Sequence, residues 1–98
     1  MHIKELRIFR RKSTLNSSPE IIRGETYQGP KAEIWQLGIL LYTIIFGENP
    51  FHSRQEILNY RSILNFPKAI DKDCADLLHS MICVNTKKRI TLEKVLKK

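Results

Sequence analysis

The sequence predicts an all-α fold of about five helices around one apolar central helix, and three observations lead there. The stretch Ile34 to Phe46 is almost continuously apolar, broken only by Gln36, Gly38 and Thr43. It is too short to cross a bilayer, which needs about 20 apolar residues, and so reads as a buried helix. Cap-type residues stand ahead of four other short apolar patterns, at Ser18, Ser53, Asp71 or Asp73, and Thr91. No convincing run alternates apolar and polar residues as a strand would, and no internal repeat is present.

Taken in order, Met1 to Ser17 shows no sustained period: Ile3, Leu6 and Phe9 share a helical face, but Arg10 to Ser17 is polar and turn-like. Residues 1–17 are read as a basic tail, and residues 18–98 as the folded domain. Ser18-Pro19-Glu20 opens a short helix, with Pro at the first helical position and an early acid, and Gly24 closes it. Gly29-Pro30 is a turn whose proline opens the helix Lys31 to Phe46, with Gly47 placed to end it in a left-handed conformation. That helix carries apolar residues on every face, which requires cover all round. Gly47 to Phe51 is a turn. Ser53 with Glu56 forms a capping box for a helix reaching about Leu64, with Ile57, Tyr60 and Leu64 on one stripe. Leu77, Leu78, Met81 and Ile82 mark the next helix, and Leu92, Val95 and Leu96 the inward side of the last.

The 98 residues bound one modest core, and 42% hydrophobic with 28% charged residues is the composition of a globular protein. The formal net charge of +7 is unevenly placed. Met1 to Lys12 carries Lys4, Arg7, Arg10, Arg11 and Lys12 against Glu5, and Lys87 to Lys98 is similarly basic, while the middle is slightly acidic. Basic flanks of this kind read first as solvated ends. Cys74 and Cys83, both placed on one helix, form no secreted-type disulfide framework, and the basic N-terminus is not followed by a signal peptide's apolar stretch. A reducing compartment, cytoplasm or nucleus, is expected.

Three separated segments resemble the closing motifs of eukaryotic protein kinases. Ser18-Pro19-Glu20 is similar to the A-P-E that ends the activation segment, Glu33-Ile34-Trp35-Gln36-Leu37-Gly38 resembles D-x-W-x-x-G, and Arg89 stands where the family has its late arginine. The resemblance covers Ser18 to Lys98 and implies a helical C-lobe fragment, with residues 1–17 as a tail or remnant of an activation segment. Tyr27-Gln28-Gly29-Pro30, Leu40 to Thr43 and Glu48 to Phe51 look most like PAS-domain serine/threonine kinases. By the resemblance, Glu20 and Arg89 form a buried bidentate ion pair, Pro19, Glu33, Trp35 and Gly38 belong to the C-lobe scaffold, and the helix after Ser53 belongs to a partner-facing surface. Glu33 departs from the family's Asp, which holds the catalytic loop from beneath.

Phosphoryl transfer needs a glycine-rich loop over the phosphates, a strand lysine paired with a helix glutamate, a catalytic-loop Asp with its Asn, and a D-F-G Asp for magnesium. None is found: Gly24, Gly29, Gly38 and Gly47 never fall two apart, His2, His52 and His79 are not followed by Arg-Asp, and no Asp precedes Phe-Gly. No catalytic, cofactor-binding or metal residue is therefore expected, although a complete family member would need ATP and magnesium. His79 and Cys83 offer at most half a zinc site. Arg10, Arg11 and Lys12 ahead of Ser13 resemble a basophilic phosphorylation site.

The expectation is a truncated serine/threonine-kinase-like chain, inactive alone. One alternative is an interaction module, with Glu48, Phe51, Tyr60 and Phe66 as partner surface and self-association or a protein partner covering exposed apolar residues. Another is a fragment of a mis-started gene for a full active kinase. No membrane span is expected. Nucleic acid is disfavoured as a partner, because no aromatic platform or groove-reading motif accompanies the basic ends.

Overall fold

The computed structural model describes residues 16–97, and among these described residues there are five helices: α1 (Pro19–Ile22), α2 (Gly29–Phe46), α3 (Arg54–Asn59), α4 (Lys72–Met81) and α5 (Leu92–Leu96). No strand occurs among the described residues. The tail expected at residues 1–17 lies outside them up to residue 15.

The longest helix is delimited by its sequence. Pro30 sits in the first turn of α2, where a missing N–H costs nothing, and Gly47 closes it at φ 75°, its N–H bonding to the Thr43 carbonyl. The helix starts at Gly29, two residues ahead of the expected Lys31. Gly24 (φ 72°) likewise follows the C-cap of α1, which spans one turn. Ser18 is the N-cap of α1, but its side chain makes no capping bond.

Two apolar clusters share α2. Trp35, Ile39 and Tyr42 pack with Phe51, Ile57, Tyr60, Leu64, Leu78 and Ile82, while Ile34 packs with Met81 and Ile90. Each aliphatic side chain buried in this way contributes about 1.5–3 kcal/mol. Helix α4 is capped by Asp71, whose carboxylate accepts from the N–H groups of Asp73 and Cys74, and it delivers Leu78 and Met81 to the two clusters. The chain then leaves the helix at Ile82, so Cys83 lies beyond α4: Cys74 and Cys83 do not share a helix, and neither do His79 and Cys83. No metal-holding group of His, Cys, Asp and Glu exists among the described residues.

The helix after Ser53 is shorter than its pattern. Ser53 Oγ accepts from the Glu56 N–H at 3.1 Å, but α3 ends at Asn59 because Tyr60 is extended (ψ 136°). Tertiary bonds capture the chain there. The Tyr60 hydroxyl donates to the Ile82 carbonyl at 2.8 Å, the Val84 N–H donates to Ser62 Oγ at 3.1 Å, and the Leu64 N–H donates to His79 Nε2 at 3.0 Å. Ser62 accepts a left-handed backbone (φ 67°) within this turn. Ile57, Tyr60 and Leu64 are all buried, although only Ile57 lies on a helix.

Cover on α2 is incomplete. Leu37 and Ile44, seven residues and hence two turns apart on one face, are 40% and 59% exposed. The expectation that this helix is surrounded by protein therefore fails on that face among the described residues. The last helix is corrected too: Val95 packs on the Ile34 cluster, but Leu92 and Leu96 point to solvent, because α5 sits at the rim of the core.

Candidate functional site

The polar centre of the molecule is one side chain. Arg89 is 1% exposed, and its guanidinium ties three segments together. Nη1 and Nη2 donate to the two Glu20 carboxylate oxygens at 2.7 and 3.0 Å, which brings in α1. Nη1 also donates to the Lys31 carbonyl in the first turn of α2 at 2.9 Å, and Nε donates to the Cys83 carbonyl after α4, also at 2.9 Å. The group lies over the Trp35 ring, 5.2 Å from its centroid. A planar fork that satisfies a carboxylate and two carbonyls while stacking on an indole is a task for arginine, which lysine's single ammonium cannot perform.

Local backbone structure prepares this arrangement. The Arg89 N–H bonds to the Asn85 carbonyl at 2.9 Å and the Ile90 N–H to the Ser80 carbonyl at 3.0 Å, so residues 85–90 fold back on α4. The amine of Lys31 donates to the Arg89 carbonyl, so each residue holds the other's backbone. Lys31 was not identified as a site residue from the sequence. A signal existed: a base in the first turn opposes the helix dipole, and so asks for another partner.

Burial pushes the Glu20 carboxyl up, but hydrogen bonds and the charge of Arg89 more than offset this, leaving it below its ordinary value. A buried pair with its hydrogen bonds satisfied is tolerated, whereas one half alone is not.

Trp35 is fully buried beneath the pair. Phe51 stacks on it at 5.9 Å and 8°, and Tyr60 meets it edge-on at 6.0 Å. The indole N–H has no hydrogen-bond partner among the described residues. Phe51 and Tyr60 are therefore core residues rather than partner anchors: they are 5% and 8% exposed, and burial pushes the Tyr60 phenol well above its ordinary range. Phe66 is half-buried against Phe46 and the edge of His79. Of the four residues expected at a partner surface, only Glu48 is openly exposed.

Gly38 marks the tightest approach. A Cβ there would lie 2.8 Å from Ile82 Cγ1 and 2.9 Å from Met81 Cβ, so the glycine lets the end of α4 press onto α2. Pro19 is buried at the start of α1. Glu33 stands apart on the exposed side of α2 and does not join Glu20 and Arg89. Ser13 lies outside the described residues. The arrangement thus consists of a buried ion pair, a stacked indole and a close helix contact, a set that positions segments.

A family model described as protein kinase domain matches residues 11–98. Among curated proteins, the chain is 45% identical over 80 residues to serine/threonine-protein kinase ppk6 of Schizosaccharomyces pombe, a match covering 82% of this chain and 10% of that protein. It is 37% identical over 79 residues to serine/threonine-protein kinase PSK1 of Saccharomyces cerevisiae, covering 81% of this chain and 6% of that one. Serine/threonine-protein kinase kin-29 of Caenorhabditis briggsae is 37% identical over 84 residues, covering 82% of this chain and 10% of its own length. The chain therefore spans a tenth or less of these relatives.

Proposed function

Because the chain belongs to the protein kinase family, we propose that these residues act as a C-lobe scaffold of the serine/threonine type and do not themselves transfer phosphate. The observation that carries this reading is the Arg89 fork on Glu20. It fixes the Ser18-Pro19-Glu20 turn, the counterpart of the end of the activation segment, to the first turn of α2 and to the segment after α4. Such a staple gives a neighbouring catalytic segment a rigid floor. The 98 residues contain no glycine-rich phosphate loop, no H-R-D and no D-F-G, so ATP and magnesium have no ligands of the kinase kind here.

In this reading Trp35 and Gly38 set the spacing of the floor, and Glu33, exposed on α2, is the side chain available to hold backbone from another segment of a larger domain. The purified chain, incubated with ATP, magnesium and a basic serine peptide, is expected to incorporate no phosphate, and magnesium-ATP is expected to leave its melting temperature unchanged. Incorporation that tracks the chain's own concentration through successive purification steps would overturn the proposal.

A second reading, an interaction module, is favoured by the exposed Leu37 and Ile44 on the central helix. A helix of that apolarity is stable in water when something covers it, whether a second copy or another protein. Light scattering across a concentration series tests self-association, and a strict monomer with no dye-binding apolar surface argues against this reading.

A further inference from the structure

Besides the Arg89–Glu20 pair, several lysines of the described residues gather in one place. A depression of about 360 Å³ lies between the start of α2, the end of α4 and the start of α5. Lys31, Lys87, Lys88 and Lys94 line it together with Ser80 and Thr91, and no carboxylate does. The Lys31 amine is engaged by the Arg89 carbonyl. Lys87, Lys88 and Lys94 are exposed and form no ion pair among the described residues. Exposed lysines elsewhere on the same helices behave differently: Lys72 pairs with Asp76 on α4, and Lys97, just past α5, pairs with Glu93. The adjoining depression shares Lys31 and Lys87 but is also lined by Glu20 and Glu25, so the charged lining changes from mixed sign to positive only along the surface.

We propose that this depression binds a compact anion carrying two or more phosphate groups. Exposed lysines around one concavity match dispersed negative charge at short range, each ammonium acting as a point charge with rotatable donors. Thr91 Oγ already accepts from the Lys94 N–H, which leaves its hydroxyl proton free to donate to a ligand oxygen. Extent decides against a duplex. Duplex DNA presents one charge about every 1.7 Å and is held by a long basic surface, whereas these four lysines line a single hollow of about 360 Å³. The same chemistry is found in a free polyphosphate and in a multiply phosphorylated lipid headgroup. The proposal is independent of whether the chain serves as a kinase scaffold.

The test uses the full chain and inorganic tripolyphosphate at near-physiological salt, read by titration calorimetry and thermal shift. Saturable one-site binding and a raised melting temperature are expected. The triple variant Lys87→Gln, Lys88→Gln, Lys94→Gln, whose positions are all exposed, should keep the unliganded melting temperature and lose affinity at least about tenfold, the scale of one charge-assisted hydrogen bond. A charge-matched control, Arg23→Gln, Arg54→Gln, Lys68→Gln, lies outside the depression and should retain affinity within about threefold, since only long-range, salt-screened charge changes. Vesicles bearing a bisphosphorylated inositol lipid separate the sources. Vesicle binding that tripolyphosphate displaces supports the site with a headgroup as ligand, and tripolyphosphate binding without vesicle binding supports it with a soluble ligand. Equal losses in both triple variants, no binding of tripolyphosphate, or tighter binding of a DNA duplex that the first variant does not weaken would each overturn it.

Discussion

The two ends of α2 are held by different physics. At its start, Arg89 reaches in from another segment and fixes Glu20, Lys31 and Cys83 through directional bonds above the Trp35 ring. At its end, Tyr42, Phe46 and Phe66 pack ring on ring, with centroids 4.6 Å apart for Tyr42 and Phe46 and 5.7 Å for Phe46 and Phe66, and His79 closes the group at 5.4 Å from Phe66. Directional bonds specify one arrangement and fail sharply when a partner is lost. Ring packing is roughly proportional to area and degrades by degrees. The first end can set the position of another segment to within a bond length, and the second mainly supplies stability.

The largest predicted effect breaks the first end. Arg89→Met or Glu20→Gln should each lower the unfolding free energy by about 3–5 kcal/mol, because an uncompensated buried polar or charged group remains. The double variant should cost markedly less than the sum of the two, and urea denaturation of all four proteins gives the coupling. Arg89→Lys should rescue only part of the loss, since one ammonium cannot reproduce the fork to Glu20, Lys31 and Cys83. An additive double variant would mean that the pair does not act as a unit.

The middle and far end of α2 should respond less. Gly38→Ala forces a Cβ into Ile82 and Met81 and should cost about 1–3 kcal/mol, the range for overpacking. Phe66→Ala removes a half-buried ring and should cost about 1–3 kcal/mol, below the value for a fully buried one. If Phe66→Ala matched Arg89→Met in urea midpoint, the contrast between the two ends would disappear.

The kinase resemblance was legible because it rests on residue identities that the fold cannot easily replace: the acid at 20, the tryptophan at 35, the glycine at 38 and the arginine at 89. The start of α2 at Gly29-Pro30 and its stop at Gly47 were nearly as clear, since proline and glycine act through backbone geometry alone. What could not be read was set by partners distant in sequence. The pattern of Ile57, Tyr60 and Leu64 implies a helix, yet the chain turns at Tyr60 because Ile82, Val84 and His79 offer bonds there. Phe51 and Tyr60 read as surface anchors because aromatic residues near a turn carry no mark of burial until they are seen packed on Trp35 and on each other. Cys83 looks helical on spacing alone, but α4 stops at Met81 and the freed Cys83 carbonyl becomes a ligand for Arg89.

Acid should distinguish the two ends without mutation. The Glu20 carboxyl is held below its ordinary value of 4.5, so its contribution is fully present above that pH and is lost as pH falls through the lowered value in the folded protein. Wild type should therefore lose stability below about pH 4.5 more steeply than Glu20→Gln, and their urea midpoints should converge. In Arg89→Met the charge and hydrogen bonds of Arg89 no longer hold the Glu20 carboxyl down against its burial, so it should titrate higher than in wild type, and the acid loss attributed to Glu20 should shrink or reverse. A parallel pH profile for wild type and Glu20→Gln would remove the electrostatic account of the first end.

The smallest effect on stability is expected on the face of α2 that neither end uses. Ile44 is 59% exposed and Leu37 40%, so Ile44→Lys removes little packing, and lysine's helix propensity is no worse than isoleucine's. The change in unfolding free energy should stay within about 0.5 kcal/mol, the usual range for surface substitutions. Its effect on association should be larger. If this face meets a second copy, a charge placed there must be desolvated on contact, and the concentration dependence of light scattering should vanish in Ile44→Lys while persisting in Ile63→Lys, a change at a more exposed residue away from α2. A loss of several kcal/mol in the variant at dilute, monomeric concentration would instead mean that Ile44 is covered within a single chain, and the difference between an occupied inner side of α2 and an open outer one would not stand.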